Sequence, residues 1–589
     1  MSIDRDPLRE YTQRLEARRR TAAELQRKDD RISVARLAIA IAFVAVAYAS
    51  LWTRAISLLW LTAPALAFLG LVVVHDRILR ARDRAVRAVA FYEAGIARIE
   101  DRWIGGGQST EVLRGESHLY AADLDIFGKA SLFELLCTAR LRSGEETLAG
   151  WLSEPAARGE IVARQQAVAE LRNSVDLRED LAILGTAIRS SIHPDFLIKW
   201  GSAPRILGNP TLRAILPLLA VVTVASLFTP YWPWTLALDG AIGLFYRKRV
   251  REVMELVERP EKELSLLSQM LGRIEREQFT SARLVSLRRA LDADGLPPSV
   301  QIGRLARLMD LLNWRKNEFF ALFSIFVFWA TQLTLAIEAW RGHCGTKTGP
   351  WLAAVAEFEA LCALAGYAYE HPGDPFPEIV DGGPVFEGEE LKHPLIPAIQ
   401  SIPNSVHLGG DLRMLVVSGS NMSGKSTLLR TVGINAVLAL AGAPVRAKAL
   451  RISPLALGAT LRIQDSLQAG TSRFYAEIQR IQHIMEQTRG SLPVFFLLDE
   501  VLHGTNSHDR AVGAEAIVKG LLERGAIGLV TTHDLALTKV AESLAPKASN
   551  VHFEDEMING KMVFDYRMHP GVVVKSNALA LMRAVGLEV

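Results

Sequence analysis

Cysteine is scarce: Cys137, Cys344 and Cys362 are the only three in 589 residues. They are too few and too scattered for a disulfide framework or a zinc site, and they suit a reducing cytoplasm. A surplus of either charge is also missing. With 67 basic against 64 acidic side chains and a formal net charge of +3, composition makes no case for nucleic acid or for an acidic partner. What the chain does have is length for several domains, each with its own core, and uncharged runs long enough to raise the question of a membrane.

Residues 37 to 52, LAIAIAFVAVAYASLW, carry no charge, and LLWLTAPALAFLGLVVV follows at 58 to 74. Each is close to the ~20 residues that cross a bilayer core. Arg14, Arg18, Arg19, Arg20, Arg27, Lys28, Arg31 and Arg36 precede the first run, Arg77, Arg80, Arg82, Arg84 and Arg87 follow the second, and only Arg54 lies between them. The positive-inside bias therefore predicts a transmembrane hairpin over 34–75 with both ends in the cytoplasm, after a basic segment at 1–33. A cleaved signal peptide does not fit, because the apolar part starts late and a second span follows at once. A weaker pair, AILPLLAVVTVASLFT and WTLALDGAIGLFY, predicts a second hairpin over 214–246, with the aromatic PYWPW between its arms and Arg213 and Arg247, Lys248 and Arg249 at its base. Its second arm is short and holds Asp239, so a buried or re-entrant segment is the competing reading. The run at 319 to 337 contains Thr331, Gln332 and Thr334 and continues into Glu338, which favours a core helix.

The chemistry lies further on. RMLVVS reads as a short strand, GSNMSGKST as a phosphate loop at 419–427, and LLRTVGINAVLALAGA as a helix closing at glycine. Strand, glycine-rich loop and helix is the context that gives GxxxxGK[ST] its meaning. Gly419, Ser420, Asn421, Met422, Ser423 and Gly424 form the loop, whose two glycines let backbone N–H groups turn towards phosphate oxygens at the helix N-terminus. Lys425 then reaches the β and γ phosphates of ATP, Ser426 offers a hydroxyl to Mg2+, and Thr427 stands near the α phosphate. Eighty residues on, PVFFLLDE is an apolar strand ending in two acids. Asp499 is placed to hold Mg2+, mostly through water, and Glu500 to polarise the attacking water. A third strand, AIGLVTTHD, ends in His533, where ABC-type nucleotide switches carry a histidine that senses the γ phosphate.

A membrane-linked ATPase suggests an ABC transporter, yet its LSGGQ signature is absent. QAGTSRFYAEIQRI stands at 468–481 instead. That segment, with the 419–447 stretch and DEVLHGTNSHDR, resembles the ATPase domain of the MutS family of DNA mismatch-repair proteins. The family loop commonly reads GPNMGGKST, so Asn421, Met422, Gly424, Lys425, Ser426 and Thr427 match, while Ser420 and Ser423 depart conservatively. The resemblance implies further roles. Ser472 matches the serine that approaches the γ phosphate of the opposite subunit, which makes the active form a homodimer. Thr505, Asn506, Ser507 and Asp509 match the loop that communicates across that dimer, with Leu502 and His503 departing from the usual pair. Ile402 and Asn404 match neighbours of the adenine.

Upstream, residues 123–171 and 357–372 resemble the family's core and lever helices, and the closing segment FDYRMHPGVVVKSNALALMRAVGL its last strand and helix. The implied fold is an α/β P-loop ATPase head of the ABC type at 381–589. A mostly α-helical core and lever body is expected at 85–205 and 250–380, joined to N-terminal transmembrane helices. The mismatch-reading and clamp domains have no counterpart: the hairpins occupy their places, and no helix-turn-helix tail follows Val589. FYE at 91–93 imitates the family's Phe-x-Glu wedge only superficially, because it lies in a stretch of helical period. The resemblance implies ATP and Mg2+ as cofactors, and double-stranded DNA or a DNA-bound protein as the load. With the hairpins, it implies a multi-pass place in a bacterial inner membrane with the ATPase facing the cytoplasm. The alternative is ATP-driven remodelling of the membrane or of a protein partner without nucleic acid.

Overall fold

The computed structural model describes residues 6–53, 56–107, 118–186, 194–208, 210–257, 261–291, 295–314, 327–420, 422–462, 473–502, 507–533, 535–558 and 561–573. The chain divides into two compact units, Met1–Trp103 with Glu179–Ala187, and Ile104–Arg178 with Ile188–Val589.

In the first unit two long helices, Pro7–Leu51 and Thr62–Ile99, run antiparallel. The first starts where the Asp6 carboxylate accepts the Leu8 N–H ahead of a proline at the first helical position. At the charged end, Tyr11 meets Tyr92 edge-on at 5.5 Å, Tyr92 donates to Glu179 at 2.6 Å, and Arg18 pairs with the same carboxylate at 2.8 Å. Phe91 and Tyr92 are buried here, as the helical period of the FYE stretch predicts. Midway, His75 sits between Asp29 and Arg36, 2.6 Å from each. Beyond Arg36 and His75 the character changes: Leu37, Ile41, Val44, Leu66 and Leu69 are each more than 60% exposed. Among the described residues, three helical stretches are long and apolar enough to cross a membrane. In Pro7–Leu51 and Leu58–Ile99 the apolar window is wholly unburied, whereas in Trp329–Glu370 it is 89% buried. The expected basic segment and first membrane arm thus form one continuous helix.

The second unit combines a helical body with two sheets. The helix Thr348–Glu370 is buried along most of its length, and Arg142–Ser153 and Arg158–Leu171 pack on it. A helix apolar on most sides belongs in a core or in a membrane, and burial against its neighbours makes this one a core element. Pro210–Ser226 and Trp232–Val257 form a second antiparallel pair. Thr223 donates to the buried Asp239 at 2.7 Å, and Ser226 and Thr235 hydroxyls meet at 2.6 Å. Leu218, Val221, Phe228 and Trp234 of this pair are exposed.

The smaller sheet has the order β1-β5-β2-β3, from β1 Glu378–Ile379, β2 Phe386–Leu391, β3 Asn404–Leu408 and β5 Ala449–Ile452. The larger has the order β10-β9-β4-β8-β7-β6. It consists of β4 Met414–Ser418, β6 Ala456–Thr460, β7 Val494–Leu498, β8 Ile527–Thr532, β9 Ala548–Ile558 and β10 Lys561–Pro570. Only the β9–β10 pair is antiparallel, so this sheet is mixed. Strands β4, β7 and β8 read MLVVS, VFFLL and IGLVTT with every residue buried. That continuous apolar pattern belongs to parallel strands covered on both faces.

Candidate functional site: a phosphate loop between three strand ends

Parallel strands β4, β8 and β7 are neighbours, so their carboxyl ends deliver the loop after Ser418, His533, and Asp499 with Glu500 to one edge of the sheet. The loop turns on glycines at φ +150° (Gly419) and +107° (Gly424), values that side chains resist. Gly424 caps the helix Lys425–Ala441 in the left-handed conformation. A Cβ there would also stand 3.2 Å from the Tyr566 ring.

Lys425 is 5% exposed, and its ammonium donates to the Gly419 and Ser420 carbonyls at 2.9 and 2.8 Å. Burial lowers its pKa, while Glu500 and Asp499 pull the other way. Ser426 Oγ donates to Asp499 Oδ2 at 2.6 Å. The Thr531 hydroxyl donates to Asp499 Oδ1 and accepts the Glu500 N–H at 3.0 Å. His533 Nδ1 stands 3.4 Å from Glu500 Oε1. Glu500 and Leu502 both have positive φ, +49° and +59°, a strained arrangement that surrounding contacts must hold. Two do so: the Thr531 bond to Glu500 N–H, and the buried Glu477 carboxylate, which accepts Leu502 N–H at 2.6 Å.

Beside the loop, a cavity of about 310 Å3 is lined by Ile402, Asn404, Thr427, His393, Phe553 and Tyr566 among others. Ile402, Asn404 and Thr427 are expected there from the sequence, and His393 lies in KHPLI, which resembles the family segment beside the adenine; Phe553 and Tyr566 are not expected. Asn404 is fixed by bonds to β10, donating to the Tyr566 carbonyl at 3.0 Å and accepting Met568 N–H at 2.7 Å. Burial, helped by Arg430, pushes His393 down to about 4, so its imidazole is neutral at pH 7. Arg510 lines a separate small cleft with Glu500 and His533.

Among the described residues, the geometry suits a nucleoside triphosphate and a hard cation. The Ser420 hydroxyl is buried with no hydrogen-bond partner, an unmet donor in the phosphate loop. A serine hydroxyl and a carboxylate at 2.6 Å supply oxygen ligands of the kind Mg2+ takes. Asn421 and Ser472, both expected at the nucleotide, and His503, Thr505 and Asn506 lie outside the described residues. Leu502, where the sequence departs from the family pair, is 5% exposed and packs against Gly513, where a Cβ would come within 2.5 Å of it.

The segment expected to open the helical core is not helical at its start. Residues 119–125 dock on the ATPase: Leu119 carbonyl accepts Ala459 N–H at 2.9 Å at the β6 edge. The fully buried Asp123 accepts Leu461 and Arg462 N–H at 2.7 and 2.6 Å and pairs with Arg480. Asp125 holds Arg462 at 2.5 Å and Arg430 at 3.3 Å. Leu124 fills a notch that Gly433 leaves in the loop helix.

The family profile described as MutS domain V matches residues 415–588. Similar proteins include two described as "Endonuclease MutS2". That of Thermomicrobium roseum is 35% identical over 199 residues, 33% of this chain and 24% of its own. That of Thermus thermophilus is 34% identical over 203 residues, 33% of this chain and 25% of its own. The "DNA mismatch repair protein MutS" of Natronomonas pharaonis is 33% identical over 239 residues, 40% of this chain and 27% of its own. The chain therefore spans about a quarter of the length of these relatives. The similarity thus makes residues 415–588 a MutS-type P-loop ATPase domain.

Proposed function

We propose that the chain is a membrane-anchored MutS-type ATPase in which ATP binding closes two heads and moves the attached helical body. The observation that carries the reading is the hydrogen-bonded chain from Ser426 through Asp499 and Thr531 to the Glu500 backbone, with His533 beside the Glu500 carboxylate. In this reading Lys425 binds the β and γ phosphates and Thr427 faces the α phosphate. Gly419, Ser420, Met422, Ser423 and Gly424, with Asn421, wrap the phosphate chain, and Ile402 and Asn404 flank the adenine. Ser426 and Asp499 would hold Mg2+, which would supply neutralisation of phosphate charge. Glu500 takes the proton of the attacking water, and His533 reports whether the γ phosphate is present.

Ser472 completes the partner's site, which makes the working unit a homodimer. The exposed apolar arms support anchoring of the 34–75 hairpin, and of the 214–246 hairpin with it, in a bacterial-type inner membrane with the head on the cytoplasmic side. Light scattering on the detergent-solubilised chain tests the dimer: mass should double with ATP and Mg2+ in a Glu500→Gln variant, and a strict monomer under those conditions rejects head closure.

The load is DNA or a DNA-bound protein if it follows the mismatch-repair proteins to which the domain is similar. A second reading, remodelling of the membrane or of a protein partner without nucleic acid, draws on the exposed apolar faces of both hairpins. The ATPase rate of the solubilised chain with and without duplex DNA separates them. Stimulation by DNA supports the first; indifference across a salt series supports the second.

A further inference from the structure

A second cavity, of about 440 Å3, lies away from the nucleotide site and is lined by Arg213, Arg304, Arg307, His343, Gln301 and Trp340 with an apolar floor. Among the described residues, no carboxylate lines it. Among the described residues, none of the three arginines forms an ion pair or a hydrogen bond, and all three side chains are exposed. The nearby acid Glu338 is committed elsewhere: it is fully buried, paired with Arg341 at 2.7 Å and accepting Ile206 N–H at 2.8 Å. Three guanidiniums facing one concavity repel one another unless an anion lies between them.

The cavity's place in the fold says which anion. Arg213 stands in the first turn of Pro210–Ser226, and Ile215, Leu218 and Val221 beyond it are apolar and exposed. The Thr223–Asp239 and Ser226–Thr235 bonds set the register of this helix against Trp232–Val257. Counted ten residues down each helix from the Thr223–Asp239 bond, about 15 Å of helix, the register reaches Arg213 on one and Arg249, next to Lys248, on the other. The cavity thus opens at the basic foot of an apolar hairpin, with a greasy flank rising from it. Duplex DNA presents its phosphates along a convex ridge, whereas here the charges converge in a hollow continuous with apolar surface. We infer that this cavity binds the phosphate headgroup of an anionic phospholipid, with the acyl chains lying along the exposed face of Pro210–Ser226. The inference rests on the membrane reading of the 214–246 hairpin and goes beyond it by assigning a headgroup site.

The test uses the full chain in detergent, titrated with phosphatidylglycerol or phosphatidylcholine and read by native mass spectrometry. Preference for phosphatidylglycerol is expected. Arg304→Gln/Arg307→Gln should weaken it about 25-fold, about fivefold for each guanidinium, with ATPase activity unchanged. Arg213→Gln, expected to lose about fivefold, serves if the double variant fails to fold. Arg247→Gln/Lys248→Gln removes the same charge outside the cavity and should change affinity by less than about threefold. Equal losses in the two double variants would mean diffuse attraction and overturn the site. So would equal affinity of wild type and Arg304→Gln/Arg307→Gln, or displacement of the lipid by millimolar inorganic phosphate or by duplex DNA. Flotation with phosphatidylcholine vesicles reads the membrane reading separately. Flotation without headgroup preference rejects the site alone, and failure to float on any vesicle rejects both.

Discussion

Ser426 and Asp499, 73 residues apart, meet at a 2.6 Å hydrogen bond across the ends of β4 and β7. In the proposed reading each residue is half of a cation site, and neither segment could supply it alone. The parallel β4-β8-β7 order makes the meeting possible, because it inserts β8 between them and brings Thr531 to bond both acids' ends of β7.

Thr531 is fully buried and holds the Asp499 carboxylate and the Glu500 N–H through one hydroxyl. Thr531→Val keeps the shape and removes both bonds. A hydrogen bond to a charged group is worth about 1.5–3 kcal/mol, so kcat for ATP should fall about 10- to 100-fold. Steady-state kinetics on a variant that melts normally checks this.

Tyr566 and Asn404 close the cavity beside the phosphate loop from opposite strands. Tyr566→Ala opens it without touching the acids. The KM for ATP is expected to rise about tenfold, the worth of an aromatic contact of about 1.5 kcal/mol, while kcat stays within about twofold.

Asp123 is buried with Arg480 as its ion-pair partner and two backbone N–H groups to satisfy. Asp123→Ala removes the ion pair and leaves both N–H groups without their acceptor, a change that costs about 3–5 kcal/mol. Chemical denaturation should report that loss, and a shift under about 1 kcal/mol would mean the docking of residues 119–125 is loose.

Glu359 is wholly buried and caps the N–H groups of Arg140 and Leu141 at 3.0 Å each. Burial pushes its carboxyl up to about 7. An acid whose pKa is raised on folding binds its proton more tightly in the folded state. Its contribution is therefore complete below about pH 4.5 and declines as pH rises to about 7. Unfolding free energy should fall across that window, and Glu359→Gln should flatten the fall.

The local part of this site was legible in the chain. A strand, a loop with glycines at set positions and a helix are contiguous in sequence, and the apolar runs ending at Asp499–Glu500 and His533 announce buried parallel strands by their composition. What was not legible depends on pairing over distance. Phe553 and Tyr566 reach the cavity beside the phosphate loop from β9 and β10 respectively, and nothing in ASNVHFEDEMI marks β9 as the neighbour of β4. Asp123 reads as one more acid until Arg480 and the Arg462 N–H are brought to it. Glu477 is hidden for the same reason: its partner, Leu502 N–H, exists as a need only once Leu502 adopts positive φ.

The most direct measurement is ATP turnover and ATP binding by Glu500→Gln, side by side with wild type. Glutamine keeps the size and the backbone bond to Thr531 but cannot take a proton from water. ATP should remain bound within about threefold of wild-type affinity, with hydrolysis reduced by about 100-fold or more. Hydrolysis at the wild-type rate would contradict the assignment of this site.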